Sequence, residues 1–129
     1  MALTIDATSA NAMAAALATQ IGSGATIEIR TGTKPATPET AASGTLLATV
    51  AVSGSFTASG GSITAANPAA VTVAASGTAG HFRVKTSGGT AKIDGTVGTS
   101  GADMNLDTVA LIAGGTVDLG VPTFTVPVA

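Results

Sequence analysis

Side chains able to do chemistry are few in this 129-residue chain, and they stand far apart. His81 is the single histidine. A nucleophile needs a base beside it and a third group to orient that base. In the run His81–Thr86 (HFRVKT) the two-residue period of a strand sets Phe82 and Val84 inward and His81, Arg83 and Lys85 outward. That register makes His81 a polar surface or interface side chain rather than a base. Gly98-Thr99-Ser100-Gly101 lacks the G-x-S-x-G spacing of a nucleophile elbow and reads as a turn.

One string has metal-like spacing. Asp103-Met104-Asn105-Leu106-Asp107 opens like an EF-hand loop, with oxygen ligands at alternate positions. Thr108 then stands where that loop needs glycine, and Gly114 where it needs a bidentate glutamate. In an extended strand the three side chains share a face but lie too far apart to chelate alone. The 17 glycines form neither a G-x-x-x-x-G-K-[ST] nor a G-x-G-x-x-G phosphate cradle. Sugar sites normally include aromatic platforms, and the chain has no Trp or Tyr. An adhesin-like carbohydrate domain, with Asp103 and Asp107 holding calcium, therefore ranks low. The expectation is a protein that is not an enzyme and takes no cofactor.

The elements around these residues must be built from small side chains. Ala, Gly, Thr and Ser fill well over half of the positions, and charged residues only 9%. The apolar fraction of 45% is nearly half Ala, with three phenylalanines (Phe56, Phe82, Phe124) as its largest members. A core this thin needs sheets that approach closely, and burial against neighbouring subunits would offset its weakness. A net charge of −2 lacks the basic footprint of nucleic-acid binding, and stacking aromatics are scarce. Without cysteine there is no disulfide framework and no thiolate metal site. No apolar run approaches the roughly 20 residues of a membrane-spanning helix. Ala12–Ala18 (AMAAALA) superficially resembles a signal peptide's apolar region, but Asp6 precedes it and no Lys or Arg does.

Periodicity divides the chain in two. Residues 1–24 read as an N-terminal arm and a short helix, and 25–129 as a single β-body. Met1–Asp6 alternates Leu3 and Ile5 with polar neighbours, as an extended arm would. Thr8 or Ser9 can cap a helix over Asn11–Gln20, with Met13, Leu17 and Ile21 as its buried stripe. From residue 25 the period becomes two. Strands are expected at Thr26–Thr31, Thr45–Phe56, around Ile63, and at Ala70–Ala75, His81–Thr86, Thr90–Val97, Asn105–Ile112, Thr116–Leu119 and Thr123–Val128. Gly32–Gly44, with Pro35 and Pro38, reads as a loop. Eight or nine short strands with glycine-rich turns predict a mainly β fold, a jelly-roll-like sandwich or barrel with one N-terminal α-helix.

Three stretches carry a resemblance: Ile27–Gly32 (IEIRTG), Ser76–Lys85 (SGTAGHFRVK) and Gly95–Val117 (GTVGTSGADMNLDTVALIAGGTV). With the preceding Ala-rich helix, the chain resembles a family of small structural proteins of tailed bacteriophages and prophages. The resemblance implies a virion location and carries over no catalytic or binding residue. Small size, a β-rich body and low charge point within the virion to a capsid decoration, or cement, protein. Such a subunit would bind the major capsid protein where its copies meet, and would bind its own copies, a trimer matching local threefold positions. Leu3 and Ile5 of the arm, Lys34 in the 32–44 loop and the His81, Arg83, Lys85 row are the expected contacts. A tail, baseplate or fibre-associated module is the alternative within the particle.

Overall fold

A computed structural model describes residues 6–52, 54–65, 68–119 and 123–125. The chain runs α1 (Ala7–Ile21), β1 (Thr26–Thr31), β2 (Leu46–Ala51), β3 (Thr57–Ser59), β4 (Ser62–Thr64), β5 (Val71–Thr72), β6 (Gly77–Lys85), β7 (Ala91–Gly98), β8 (Met104–Asn105), β9 (Ala110–Leu111), β10 (Thr116–Val117) and β11 (Thr123–Thr125). The fold is mainly β with one N-terminal helix, as the periodicity predicts. Among the described residues eleven short strands stand where eight or nine were expected. The expected strand at Asn105–Ile112 is interrupted and yields β8 and β9. The expected Thr45–Phe56 strand ends at Ala51, and a new hairpin, β3–β4, begins at Thr57.

The largest sheet has the order β2-β1-β6-β7-β8, with β9 paired to the start of β6. Its pairs are antiparallel except β7 with β8. Register aligns Ile27 with Val50 and Val84, and Ile29 with Ala48 and Phe82, so one face is a continuous apolar surface. A three-stranded sheet, β11-β4-β3, lies against that face through its aromatic residues. Phe82 stacks on Phe124 with ring centroids 4.8 Å apart, and Phe56 tilts against Phe124 at 6.2 Å. Such pairs contribute about 0.5–1.5 kcal/mol beyond the area they bury. All three phenylalanines therefore meet at one seam.

Two glycines let the large sheet close. Gly95 lies opposite Phe82 on the neighbouring strand, and a Cβ there would enter the Phe82 ring. The ring covers the bare backbone of its cross-strand partner, a packing only glycine permits. Gly80 is the extra residue of a bulge between the Arg30–His81 and Thr31–Ala79 pairs. A Cβ at Gly80 would collide with the Gly32 carbonyl, so the chain crosses itself there backbone to backbone.

The helix differs from expectation in two respects. Its cap is Asp6, whose Oδ1 accepts from the Ser9 N–H at 3.3 Å, in place of Thr8 or Ser9. A carboxylate is an equally good cap and adds a negative charge at the positive end of the helix dipole. The inward stripe is Ala14, Ala18 and Ile21, while Met13 is 46% exposed. Small side chains bring the helix close to the β3–β4 hairpin, where Ala10 lies against the Gly61 backbone. Met13 would hold the two apart. The arm residues Met1–Ile5, Leu3 and Ile5 included, lie outside the described residues.

Gly95→Ala is expected to destabilise the protein by about 1–3 kcal/mol through overpacking against Phe82. Gly88→Ala, where an added Cβ would meet nothing nearer than the Thr86 hydroxyl at 3.8 Å, is expected to stay within about 0.5 kcal/mol. Urea denaturation midpoints of the two variants check this; equal losses would remove the steric account. Ser9, through its side chain and its N–H, holds the Asp6 carboxyl below its ordinary value of 3.8. The folded state therefore binds the Asp6 proton less readily than the unfolded chain. The cap's contribution is full above the ordinary value and is lost as pH falls through the lowered one. Far-UV circular dichroism on acidification should show this loss for the native chain, and Asp6→Asn should cap with no such dependence.

Candidate functional site

The second face of the large sheet holds most of the chain's organised polar chemistry. Of five basic and seven acidic residues in the chain, three basic (Arg30, Arg83, Lys85) and two acidic (Glu28, Asp94) meet there. They arise from strands that each alternate apolar and charged residues: TIEIRT in β1, HFRVK in β6 and KID in β7. Register lines up Glu28, Arg83 and Asp94 as one row across three strands. Opposite charges directly across a ladder attract, so the row itself favours this pairing over a slipped one.

Arg83 sits at the centre. Its Nε donates to Asp94 Oδ1 at 2.7 Å and its Nη2 to Asp94 Oδ2 at 2.9 Å, a two-pronged pair with both side chains about 95% buried. The same Nη2 donates to the Thr40 carbonyl at 2.6 Å. Thr40 belongs to the 32–44 loop, so the guanidinium ties that loop down across the charged face. Hydrogen bonding from Asp94 holds the Arg83 guanidinium further above its ordinary range, against the opposing cost of burial. Beside this pair, Glu28 accepts from Arg30 at 3.2 Å and from Lys85 at 3.1 Å.

His81 lies under the start of the same loop and is fully buried. Its Nδ1 is 3.1 Å from the Gly32 carbonyl. A carbonyl can only accept, so Nδ1 carries a proton there. Nε2 is buried and finds no hydrogen-bond partner among the described residues. The ring thus fixes the point where the loop leaves β1, next to the Gly80 crossing.

The outward placement of His81, Arg83 and Lys85 is corrected by this geometry. Alternation sets them on the second face as expected, but the loop covers that face. His81 and Arg83 are buried, and Lys85 is half-buried against Glu28. His81 and Arg83 thus present little surface to a partner, while the Lys85 side chain keeps 27% of its surface exposed. Lys34 is exposed, in keeping with its expected place. Glu28 and Asp94 were missed as members of a site. The available signal was that a chain with so few charges sets five of them inside three strands.

The metal-like string contains β8, and its side chains close the turn before it. Asp103 Oδ2 accepts from the Thr96 N–H at 2.9 Å and its hydroxyl at 3.1 Å, and Asn105 Oδ1 accepts from the Ala102 N–H at 3.1 Å. These bonds close the β7–β8 connection. Among the described residues no three His, Cys, Asp or Glu side chains converge to hold a metal ion, and no helix is long and apolar enough to cross a membrane. Comparison with protein-family models, curated sequences and solved structures finds no match to this chain.

Asp94→Ala leaves Arg83 buried without its counter-charge and is expected to cost about 3–5 kcal/mol. Lys34→Ala, on the exposed loop, should stay within about 0.5 kcal/mol. Replacing the pair together (Arg83→Met with Asp94→Leu) removes both buried charges, so stability should recover to near the native value or above. The loop, however, loses its tie to Thr40. A glutamate-specific protease should then cut after Glu39 in the double variant while the native protein resists. Equal resistance in both would show that Arg83 does not hold the loop.

Proposed function

We propose that this protein is a bacteriophage virion structural subunit, a capsid decoration (cement) protein that packs between copies of the major capsid protein. The observation that carries the reading is where the charge goes. Arg30, Arg83 and Lys85 are bound to Glu28 and Asp94 beneath the 32–44 loop. What faces outward is mostly small and uncharged, with Lys34 as the only basic side chain in the fully exposed class. Helix α1 carries no charged residue from Ala7 to Ile21, and Met13 and Ile112 stand 46% and 71% exposed. A surface of this kind can be covered without stripping water from many ions, which favours repeated packing over catalysis or nucleic-acid binding.

The buried histidine supports the same direction. Its one engaged nitrogen holds backbone, and the carboxylates on its face are bound to Arg and Lys. In a decoration protein modest contacts, repeated over many copies, give avidity without a strong single site. The phage assignment itself rests on the three resembling stretches.

Particles purified from a producing culture provide the test. The protein should copurify with heads in a copy number that is a fixed multiple of the capsid subunit count, and imaging should place its density on the outer shell. Density on the tail would move the protein to the alternative class. Absence from particles altogether would remove the virion reading. Ile112→Asp, at a side chain too exposed to matter for folding, tests the packing surface and should lower the copies bound per particle while leaving the denaturation midpoint unchanged.

A further inference from the structure

The 32–44 loop is held more firmly than a connection between two strands requires. Loops longer than about 12 residues with no secondary structure of their own are usually functional or disordered. This one is fixed at its neck and at its tip. At the neck, the Thr31 N–H donates to the Thr45 carbonyl at 3.1 Å and the Thr45 N–H to Thr31 Oγ1 at 2.9 Å. The Ser43 hydroxyl donates to the Thr33 carbonyl at 3.2 Å. At the tip, Thr37-Pro38-Glu39-Thr40 closes a turn, with the Thr40 N–H donating to the Thr37 carbonyl at 3.1 Å. Pro38 takes the second position, where its fixed φ favours such a turn. Arg83 then holds the Thr40 carbonyl from below. The two charged residues of the loop, Lys34 and Glu39, are both exposed. The ion pairs among the described residues join Glu28, Arg30, Arg83, Lys85 and Asp94, so Lys34 and Glu39 stand there without a counter-charge.

We infer that this loop is where copies of the chain meet, with Lys34 of one copy against Glu39 of the next. Closed symmetry asks each subunit to give and to receive the same contact. A loop with one cation and one anion, five positions apart on a fixed backbone, does both. Its net charge is zero, so two loops approach without overall repulsion. Ala36, Thr37 and Ala41 beside the charges are small and exposed, which lets the two backbones come close. Because the loop is fixed beforehand, association does not have to order it.

A second copy is the partner because the complement lies on the loop itself. A foreign surface with a patch of one sign is matched by a patch of the opposite sign. A neutral loop with one charge of each sign is matched by another copy of itself. Other exposed acids give Lys34 no equal choice. Asp6 and Asp103 are bound in the helix cap and the β7–β8 turn, and Asp118 is also engaged. Asp107 remains, on the connection before β9, with no exposed cation near it in sequence. A single exposed ion pair is weak, but a closed assembly forms one at every junction. This inference rests on the packing half of the proposed function, for which it names the partner of one surface, and not on the virion half.

Charge reversal in the full chain tests it, read by sedimentation equilibrium at low ionic strength. The native protein should self-associate, and added salt should weaken the association. Lys34→Glu and Glu39→Lys each set like charges against one another, and each should raise the dissociation constant at least about tenfold. Both positions are exposed, so the denaturation midpoints should stay at the native value. The doubly reversed chain, Lys34→Glu with Glu39→Lys, restores opposite charges across the contact and should regain native association. Asp107→Lys should leave association unchanged. A native chain that stays monomeric, or a single reversal that associates like the native chain, overturns the inference. A double reversal no better than either single one also overturns it, since that is the result a partner other than this loop would give. Asp107→Lys weakening association as much as Glu39→Lys would overturn it too, by moving the contact elsewhere. Copurification with heads is a separate reading, so failure of the loop contact and failure of the virion assignment are distinguishable.

Discussion

The Arg83 guanidinium ties the middle of the 32–44 loop to the strands of the large sheet. It takes Asp94 on β7 with two nitrogens and the Thr40 carbonyl of the 32–44 loop with a shared one. Glu28 on β1 stands across the ladder from it. One planar group thus meets charges from both neighbouring strands and the middle of a thirteen-residue excursion (32–44). Lysine could not substitute, because a single ammonium cannot meet a carboxylate side-on and a carbonyl at the same time. The arrangement is costly, since buried ions must be stripped of water, and pairing repays this only with good geometry. What it provides is register: a one-residue slip of β6 would set Val84 or Phe82 against Asp94, and turn Arg83 into the aromatic seam.

That register in turn makes the thin core workable. Ala, Val and Ile make up most of the buried apolar residues, and only three rings stand among them. Small side chains stabilise a fold only if backbones come close enough for contacts to be made. Gly95 beneath Phe82 and Gly80 against Gly32 are where that closeness is reached. Each depends on the strand pairing that the charged row on the opposite face fixes. The apolar and polar faces of the sheet are therefore not independent layers. Shifting either would spoil the other.

Much of this was legible in the sequence, and what was missed has a physical reason. The strands of the large sheet are visible because alternation is strict there: TIEIRT, HFRVK and the Ser87-Gly88-Gly89 turn all appear where expected. The helix is visible too, but not its rotation, because Ala14 and Ala18 share the four-residue spacing of Met13 and Leu17. Hydrophobicity alone ranks Met above Ala. Packing distance reverses that ranking. The larger error concerned the charged face. Alternation states which side chains share a face, but says nothing of what covers it. A loop with two prolines and few apolar residues gives no hint that its carbonyl at Thr40 will meet a guanidinium forty-three positions later. The D-x-N-x-D string misleads for a related reason. Short oxygen-bearing side chains suit a cation and suit a turn equally well, and here Thr96 and Ala102 take them.

A protein with few charges must choose where to place them, and the placement here separates two tasks. Charges held inside the sheet specify one register, since opposite signs across a ladder tolerate no alternative partner. Charges left outside would set long-range fields and resist close apposition, and only Lys34 among the basic residues remains fully exposed. The exposed acids Asp6, Glu39, Asp103, Asp107 and Asp118 are scattered, and Asp6 and Asp103 are already occupied in a helix cap and a turn. An outer surface so depleted gives up the steering that speeds encounters between charged proteins. For a subunit that assembles at high local copy number that loss matters little, while low desolvation cost matters at every contact. The same economy explains why His81 can sit sealed: a ring that serves as a peg for Gly32 needs rigidity, which burial supplies, and a proton on Nδ1, which the Gly32 carbonyl holds there.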